Sequence, residues 1–227
     1  MKTLVVSGLC LVTLIGVFGG ALQAEAAKNK RPQSILQENF NKYAVGSVIG
    51  QGGWIDRANG SSFVIQDTVA RDGRKALYSN NTGSDSVITK STNMALADGR
   101  QAFYIRTQNR NDWGTYNVGE NVQVRISKGS WDSTAYVVLS LRKDGHVAYI
   151  DTTTDTWTNF DTYVDNAWTL VEIEWRSSDT SARFRTNNGT WTNWIPLRGA
   201  SSFTDFDTIG LVTFALGTGG VYFDSLQ

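Results

Sequence analysis

The sequence predicts an all-β protein, folded as an antiparallel two-sheet sandwich. Three observations carry the prediction. Period-two alternation of apolar and polar residues recurs almost everywhere after residue 35, and no helical stripe competes with it. Asp-Gly and Asn-Gly dipeptides punctuate that pattern at Asp72-Gly73, Asp98-Gly99, Asp144-Gly145 and Asn188-Gly189, where they supply the positive φ angles of tight hairpin turns. The first and last alternating segments, Gln37-Glu38-Asn39-Phe40 and Val221 to Gln227, are both amphipathic, so the two ends of the domain are natural strand partners.

Taken in order, residues 1–26 read as an export signal. Lys2 gives the positive start, Leu4 to Phe18 an apolar run too short for a comfortable membrane span, and Ala24-Glu25-Ala26 a small-x-small cleavage pattern. Residues 27–35, which include Lys28-Asn29-Lys30-Arg31-Pro32, read as a short solvated linker. Residues 36–227 read as a single domain. Its expected strands are Phe63–Thr68, Ser86–Lys90, Ala102–Thr107, Val122–Ser127, Thr134–Arg142, Val147–Thr152, Thr169–Trp175, Ala182–Thr186, Thr208–Phe214 and Gly220–Leu226. Only Pro32 and Pro196 occur, so few strands are confined to sheet edges.

Composition narrows the function. Formal net charge is zero and stays so without the signal, which takes away Lys2 and Glu25. That leaves no basic field for nucleic acid and no basic amphipathic helix for a membrane surface. The one cysteine, Cys10, lies in the signal, so the mature chain has no disulfide, thiolate metal site or cysteine nucleophile. The expected location is outside the cytoplasm: extracellular, periplasmic or at the cell surface.

Several segments together resemble one family. Glu38-Asn39-Phe40, Val45-Gly46-Ser47 and Gly50-Gln51-Gly52-Gly53-Trp54 look like an opening strand, glycine-rich turn and tryptophan. Leu141 to Val147 resembles a central hairpin, and Trp168 to Trp175 a later long strand. Phe206-Asp207-Thr208-Ile209-Gly210 and Val221-Tyr222-Phe223-Asp224 match a closing pair. Over residues 36–227 the chain resembles the laminin-G-like jelly-roll branch of the concanavalin A-like lectin/glucanase superfamily. The resemblance implies two stacked antiparallel sheets, one of them concave. It does not fix function, because this fold hosts lectins, glycosidases, lyases and adhesive domains.

Three groups of residues could carry chemistry. Glu172 and Glu174 alternate on one strand, so they share a face roughly 6.5–7 Å apart, and glycoside hydrolysis uses paired carboxylates. The resembling laminarinase-type glycosidases place a third acid at the next alternate position, where this chain has Arg176. Simple alternation, with Val171, Ile173 and Trp175 inward, also accounts for the pair. His146, the only histidine, follows the Asp144-Gly145 turn as an ordinary strand-end residue.

Glu38 and Asp224 would meet if the terminal strands pair. The resemblance implies a structural calcium ion there, with a carbonyl from an early loop, for which Gly73 is the candidate. The third group is aromatic. Trp54, Trp168 and Trp175 alternate with apolar residues and are expected in the core. Trp113, Trp131, Trp157, Trp191 and Trp194 sit among Asn, Asp, Gly, Ser and Thr, a setting suited to a sugar's apolar C–H face and hydroxyl rim.

The leading expectation is a secreted, non-catalytic glycan-binding (lectin-like) module. The alternatives are a glycoside hydrolase or polysaccharide lyase acting through Glu172 and Glu174, and a structural or adhesive cell-surface domain without a small ligand.

Overall fold

A computed structural model of the protein describes residues 32–83, 85–115, 120–130, 136–151 and 154–227. The expected signal, residues 27–31 of the expected linker and Trp131 lie outside the described residues. Two antiparallel sheets form. The larger has eight strands in the spatial order β1 (Gly46–Ser47), β3 (Phe63–Gln66), β4 (Ala76–Ser79), β15 (Val221–Asp224), β6 (Gly99–Thr107), β11 (Thr169–Arg176), β12 (Ser181–Thr186) and β13 (Ile195–Pro196). The other has seven, in the order β10 (Thr156–Thr162), β9 (His146–Asp151), β8 (Tyr136–Leu141), β7 (Val122–Ser127), β14 (Phe206–Thr213), β5 (Ser86–Leu96) and β2 (Ile55–Ala58). This is the expected jelly-roll sandwich.

Each expected strand is present among the described residues, with Thr134, Ala135 and Thr152 of the expected ends lying outside them and β5 running six residues past its expected end. Five strands carry too little alternation to be read beforehand. β1 and β13 are two residues long, β2 is mostly exposed, β4 is nearly all buried, and β10 is a polar edge strand. Asp144-Gly145 makes the expected hairpin between β8 and β9, with Gly145 at φ 88. Asp98-Gly99 does not turn a hairpin: β5 and β6 belong to different sheets, so this link carries the chain across the sandwich.

Inward-facing residues of both sheets make the core. Val171, Ile173 and Trp175 of β11 lie inside, as do Val122, Val124 and Ile126 of β7 and Phe206, Ile209 and Leu211 of β14. Trp54 and Trp175 are core residues, as expected. Trp175 packs edge-on against Phe206 at 5.6 Å. Gly99 makes room for it, since a Cβ there would lie 2.3 Å from the indole. Burying a large apolar side chain stabilises the fold by about 1.5–3 kcal/mol.

The two ends of the domain meet. Glu38 and Leu226 exchange backbone hydrogen bonds of 2.8 Å each, and Gln227 continues the pairing onto Ala102 of β6. Among the described residues no helix is long and apolar enough to cross a membrane.

Candidate functional site

The loop tryptophans divide. Trp113 is 1% exposed, and its indole N–H donates to the Gly219 carbonyl at 2.8 Å. It was expected at a ligand surface, but it anchors its loop inside the core and presents no ring face. Trp157 is half-buried on β10, opposite Ile150 of β9, and hydrogen-bonds to the buried Glu120. It therefore stands on the outward face of the seven-stranded sheet. Trp191 and Trp194 lie on the other sheet, in the segment between β12 and β13, and both are half-buried. Trp168 corrects a second expectation. It lies on the outward face, edge-on to Tyr222 at 6.5 Å, rather than in the core.

Trp191 and Trp194 are held together by the charges beneath them. Strand alternation that turns Val171, Ile173 and Trp175 inward turns Glu172 and Glu174 outward, beside Arg185 and Arg183 of β12. Glu172 is fully buried by its partners: Arg185 donates to both of its oxygens, and Arg100 of β6 pairs with it from the other side. Glu174 accepts two N–H bonds from Arg183, at 2.9 and 3.3 Å.

The indoles stack on this ladder. Arg183 lies 4.7 Å from the Trp191 ring and 4.5 Å from the Trp194 ring. Arg185 approaches Trp191 at 4.4 Å, and Arg176, tied to Asp179, approaches Trp194 at 3.9 Å. A guanidinium over an indole fixes the ring plane, which removes much of the ordering cost a ligand would otherwise meet.

This geometry corrects the catalytic reading of Glu172 and Glu174. A glycosidase acid and base need carboxyl oxygens open toward the glycosidic oxygen and a water or anomeric carbon. Here both carboxylates are engaged by arginines, and Trp191 stands over the guanidiniums that hold them.

Glu38 and Asp224 do reach the junction of the terminal segments. Glu38 Oε1 accepts the Asn39 and Phe40 N–H groups, and Oε2 accepts the Tyr43 hydroxyl and the Lys90 ammonium, the latter at 2.9 Å. Burial pushes the Glu38 carboxyl up, but hydrogen bonds from Tyr43 and Lys90, with the Lys90 charge, outweigh it and hold the group below its usual range. Asp224 Oδ2 accepts the Arg71 and Asp72 N–H groups at 2.8 and 3.1 Å, and Oδ1 accepts the Ser225 N–H. Burial dominates there and pushes the carboxyl up.

Calcium takes six to eight oxygen ligands at a site without competing cations. These carboxylates instead accept from amide N–H groups, and Glu38 also faces the Lys90 and Lys42 ammoniums at 2.9 and 3.5 Å. The residues present do not fit the expected ion. Among the described residues, no group of three or more His, Cys, Asp or Glu comes together either. A hollow of about 390 Å³ opens beside the junction, with Lys42 and Asp72 both on its lining.

The outward face of the seven-stranded sheet is the other ordered surface. Register places Thr89, Gly210, Arg125 and Val138 across neighbouring strands. Thr89, Thr208, Ser140 and Val212 point away from the core yet are buried. Arg125 covers the Tyr136 ring at 3.5 Å, and Arg57 donates to the Thr89 hydroxyl at 3.2 Å.

No protein-family model matches the sequence, and no curated protein matches it. Solved structures do share the fold. A sialidase superposes with TM-score 0.59 at 10% identity, over 86% of this chain but 18% of its own. A conserved carbohydrate esterase from the Shiga toxin-encoding bacteriophage phi24B gives 0.54 at 13% identity, over 86% of this chain and 97% of its own. Lectin II from Ulex europaeus gives 0.52 at 10% identity, over 84% and 98%. This chain thus spans under a fifth of the sialidase and nearly all of the other two. The shared property is the concanavalin A-like jelly-roll fold.

Proposed function

We propose that this chain is a non-catalytic glycan-binding module of an exported protein, in the laminin-G-like branch of its fold. The observation that carries the reading is the pair Trp191 and Trp194, held side by side over Arg183 on an outward sheet face. Flat rings with fixed planes stack on the C–H faces of sugars, and nearby Asn, Thr and Arg side chains supply orientation. Asn187, Asn188, Thr190, Thr192 and Asn193 flank the two rings in sequence. The names of the sialidase, the esterase and the lectin all point to carbohydrate chemistry, which supports the reading without assigning a sugar.

The test is a glycan-array screen of the residue 32–227 chain, repeated with Trp191→Ala and Trp194→Ala. Stacking of this kind is worth about 0.5–1.5 kcal/mol beyond burial. Each variant is therefore expected to bind at least severalfold more weakly, with an unchanged melting temperature. Retention equal to wild type in both variants removes these rings from the site.

A further inference from the structure

We infer that the ligand is an anionic polysaccharide lying along the outward face of the eight-stranded sheet, with the Arg106 guanidinium as the group that reads its charge. This rests on the glycan-binding reading above and extends that site.

The same face that carries Trp191 and Trp194 carries a second aromatic cluster. Register sets Tyr78 of β4, Tyr222 of β15 and Arg106 of β6 in one row across three strands. The Tyr78 and Tyr222 rings lie 4.7 Å apart, and Trp168 meets Tyr222 from the far side. Gln108 links the two phenols, accepting from the Tyr78 hydroxyl at 3.2 Å and donating to the Tyr222 hydroxyl at 3.0 Å. Gly220 is required for this seat, because a Cβ there would lie 2.2 Å from the Tyr78 ring.

Arg106 sits over Tyr222 at 5.5 Å. Two of its donors go to neutral acceptors, the Asn166 carbonyl at 3.1 Å and the Asn166 side-chain oxygen at 3.2 Å. Among the described residues it has no carboxylate partner. The other guanidiniums stacked on rings of this face do: Arg183 has Glu174, Arg185 and Arg100 share Glu172, Arg176 has Asp179, and Arg71, which covers Tyr104 at 3.4 Å, has Asp72. Among the described residues, Arg106 is thus the ring-stacked cation of the face without a carboxylate counter-charge. A guanidinium fork matches a carboxylate or sulfate in two N–H bonds, and the adjoining rings suit the sugar that bears it.

Arg106 and Arg100 face the same way on β6. Six residues of strand place the two aromatic clusters roughly 20 Å apart. Tyr104 under Arg71 lies between them. A monosaccharide cannot touch both ends, whereas an extended chain can.

The test is affinity electrophoresis of the residue 32–227 chain in gels containing polygalacturonate, dextran sulfate or uncharged dextran. Wild type is expected to be retarded more by an acidic polymer than by dextran, with retardation falling as salt rises. Arg106→Gln is expected to weaken binding to the acidic polymer about tenfold and to leave any binding of dextran unchanged. Arg106→Lys, which keeps the charge and loses the fork, should fall between. Trp194→Ala should weaken all binding.

The two polymers separate carboxylate from sulfate as the recognised group, and either one satisfies the inference. Equal retardation by dextran, with no effect of Arg106→Gln, overturns it while leaving the glycan-binding reading intact. No retardation by any polymer, together with a blank glycan array, removes both. Full competition by polyglutamate also overturns it, because the face would then read charge without sugar.

Discussion

Lys90→Met is the sharpest test of how this sandwich is closed. Lys90 stands on β5 of the seven-stranded sheet, whereas Glu38 is bridged to Leu226 beside the eight-stranded sheet, so their ion pair ties the two layers. The Glu38 side chain is 1% exposed and the Lys90 side chain 12%. Removing one partner of a buried pair costs about 3–5 kcal/mol, because a charge is left without compensation. Glu38 would keep two backbone N–H groups, the Tyr43 hydroxyl and the exposed Lys42 ammonium 3.5 Å from Oε2. The expected loss is therefore about 2–3 kcal/mol. In a domain of this size each kcal/mol moves the melting temperature by about 2–4 °C, so the midpoint should fall by about 5–10 °C.

The pH dependence follows from the same contacts. The carboxyl of Glu38 is held below its usual range in the fold. A depressed carboxyl contributes stability above its unfolded value and loses it as pH falls through the folded one. The gap between wild type and Lys90→Met should thus be full at pH 7 and shrink as pH drops below about 4.3. Urea unfolding monitored by tryptophan fluorescence at pH 7, 5 and 3 measures it. A gap under about 0.5 kcal/mol, or one equal at pH 7 and pH 3, refutes the reasoning. Chelator should leave the wild-type midpoint unmoved. A fall of several degrees would show that a divalent ion, not Lys90, balances Glu38.

Glu120 should behave in the opposite sense. Burial pushes its carboxyl up against the Arg142 charge and the Trp157 hydrogen bond, and among the described residues Oε1 has no hydrogen-bond partner. Because the folded state holds the proton more tightly, stability should fall as pH rises from the ordinary glutamate range through the raised value. Glu120→Gln should remove that fall, and an identical pH profile would sink the idea. Trp113→Ala should cost about 3–5 kcal/mol, as large aromatic truncations in cores do. Glycan retention by the fraction that still folds should be unchanged, and weakened retention would return Trp113 to the site. Gly220→Ala should destabilise by about 1–3 kcal/mol through overpacking against Tyr78. A urea midpoint equal to wild type would show that the ring moves aside freely.

Strand positions were legible because one physical fact, burial of one face of each strand, writes itself into period-two alternation. β11 is the clearest case, with Val171, Ile173 and Trp175 predicted inward and found there. β10 failed for the complementary reason. As an exposed edge strand it buries little, so Thr156-Trp157-Thr158-Asn159 carries no alternation to read. The site was legible only in part. Polar sequence around a tryptophan marks a loop, but it does not say which way the ring turns. Trp113 and Trp191 have similar neighbours in sequence and opposite fates. The alternation around Trp168 pointed to the core and Arg106 gave no signal, because their shared partner Tyr222 comes from a strand far away in the chain.

Local chemistry therefore decided the all-β class, the hairpin at Asp144-Gly145 and the meeting of Glu38 with the last strand. Alternation and turn residues act over a few neighbours, and a sequence displays its neighbours directly. Tertiary structure alone decided what each charge and ring faces: Lys90 against Glu38, arginines on both sides of Glu172, and Arg106 over Tyr222 with no acid beside it among the described residues. Those contacts depend on strand order and register, which are set by how whole faces pack and leave no mark in any single segment.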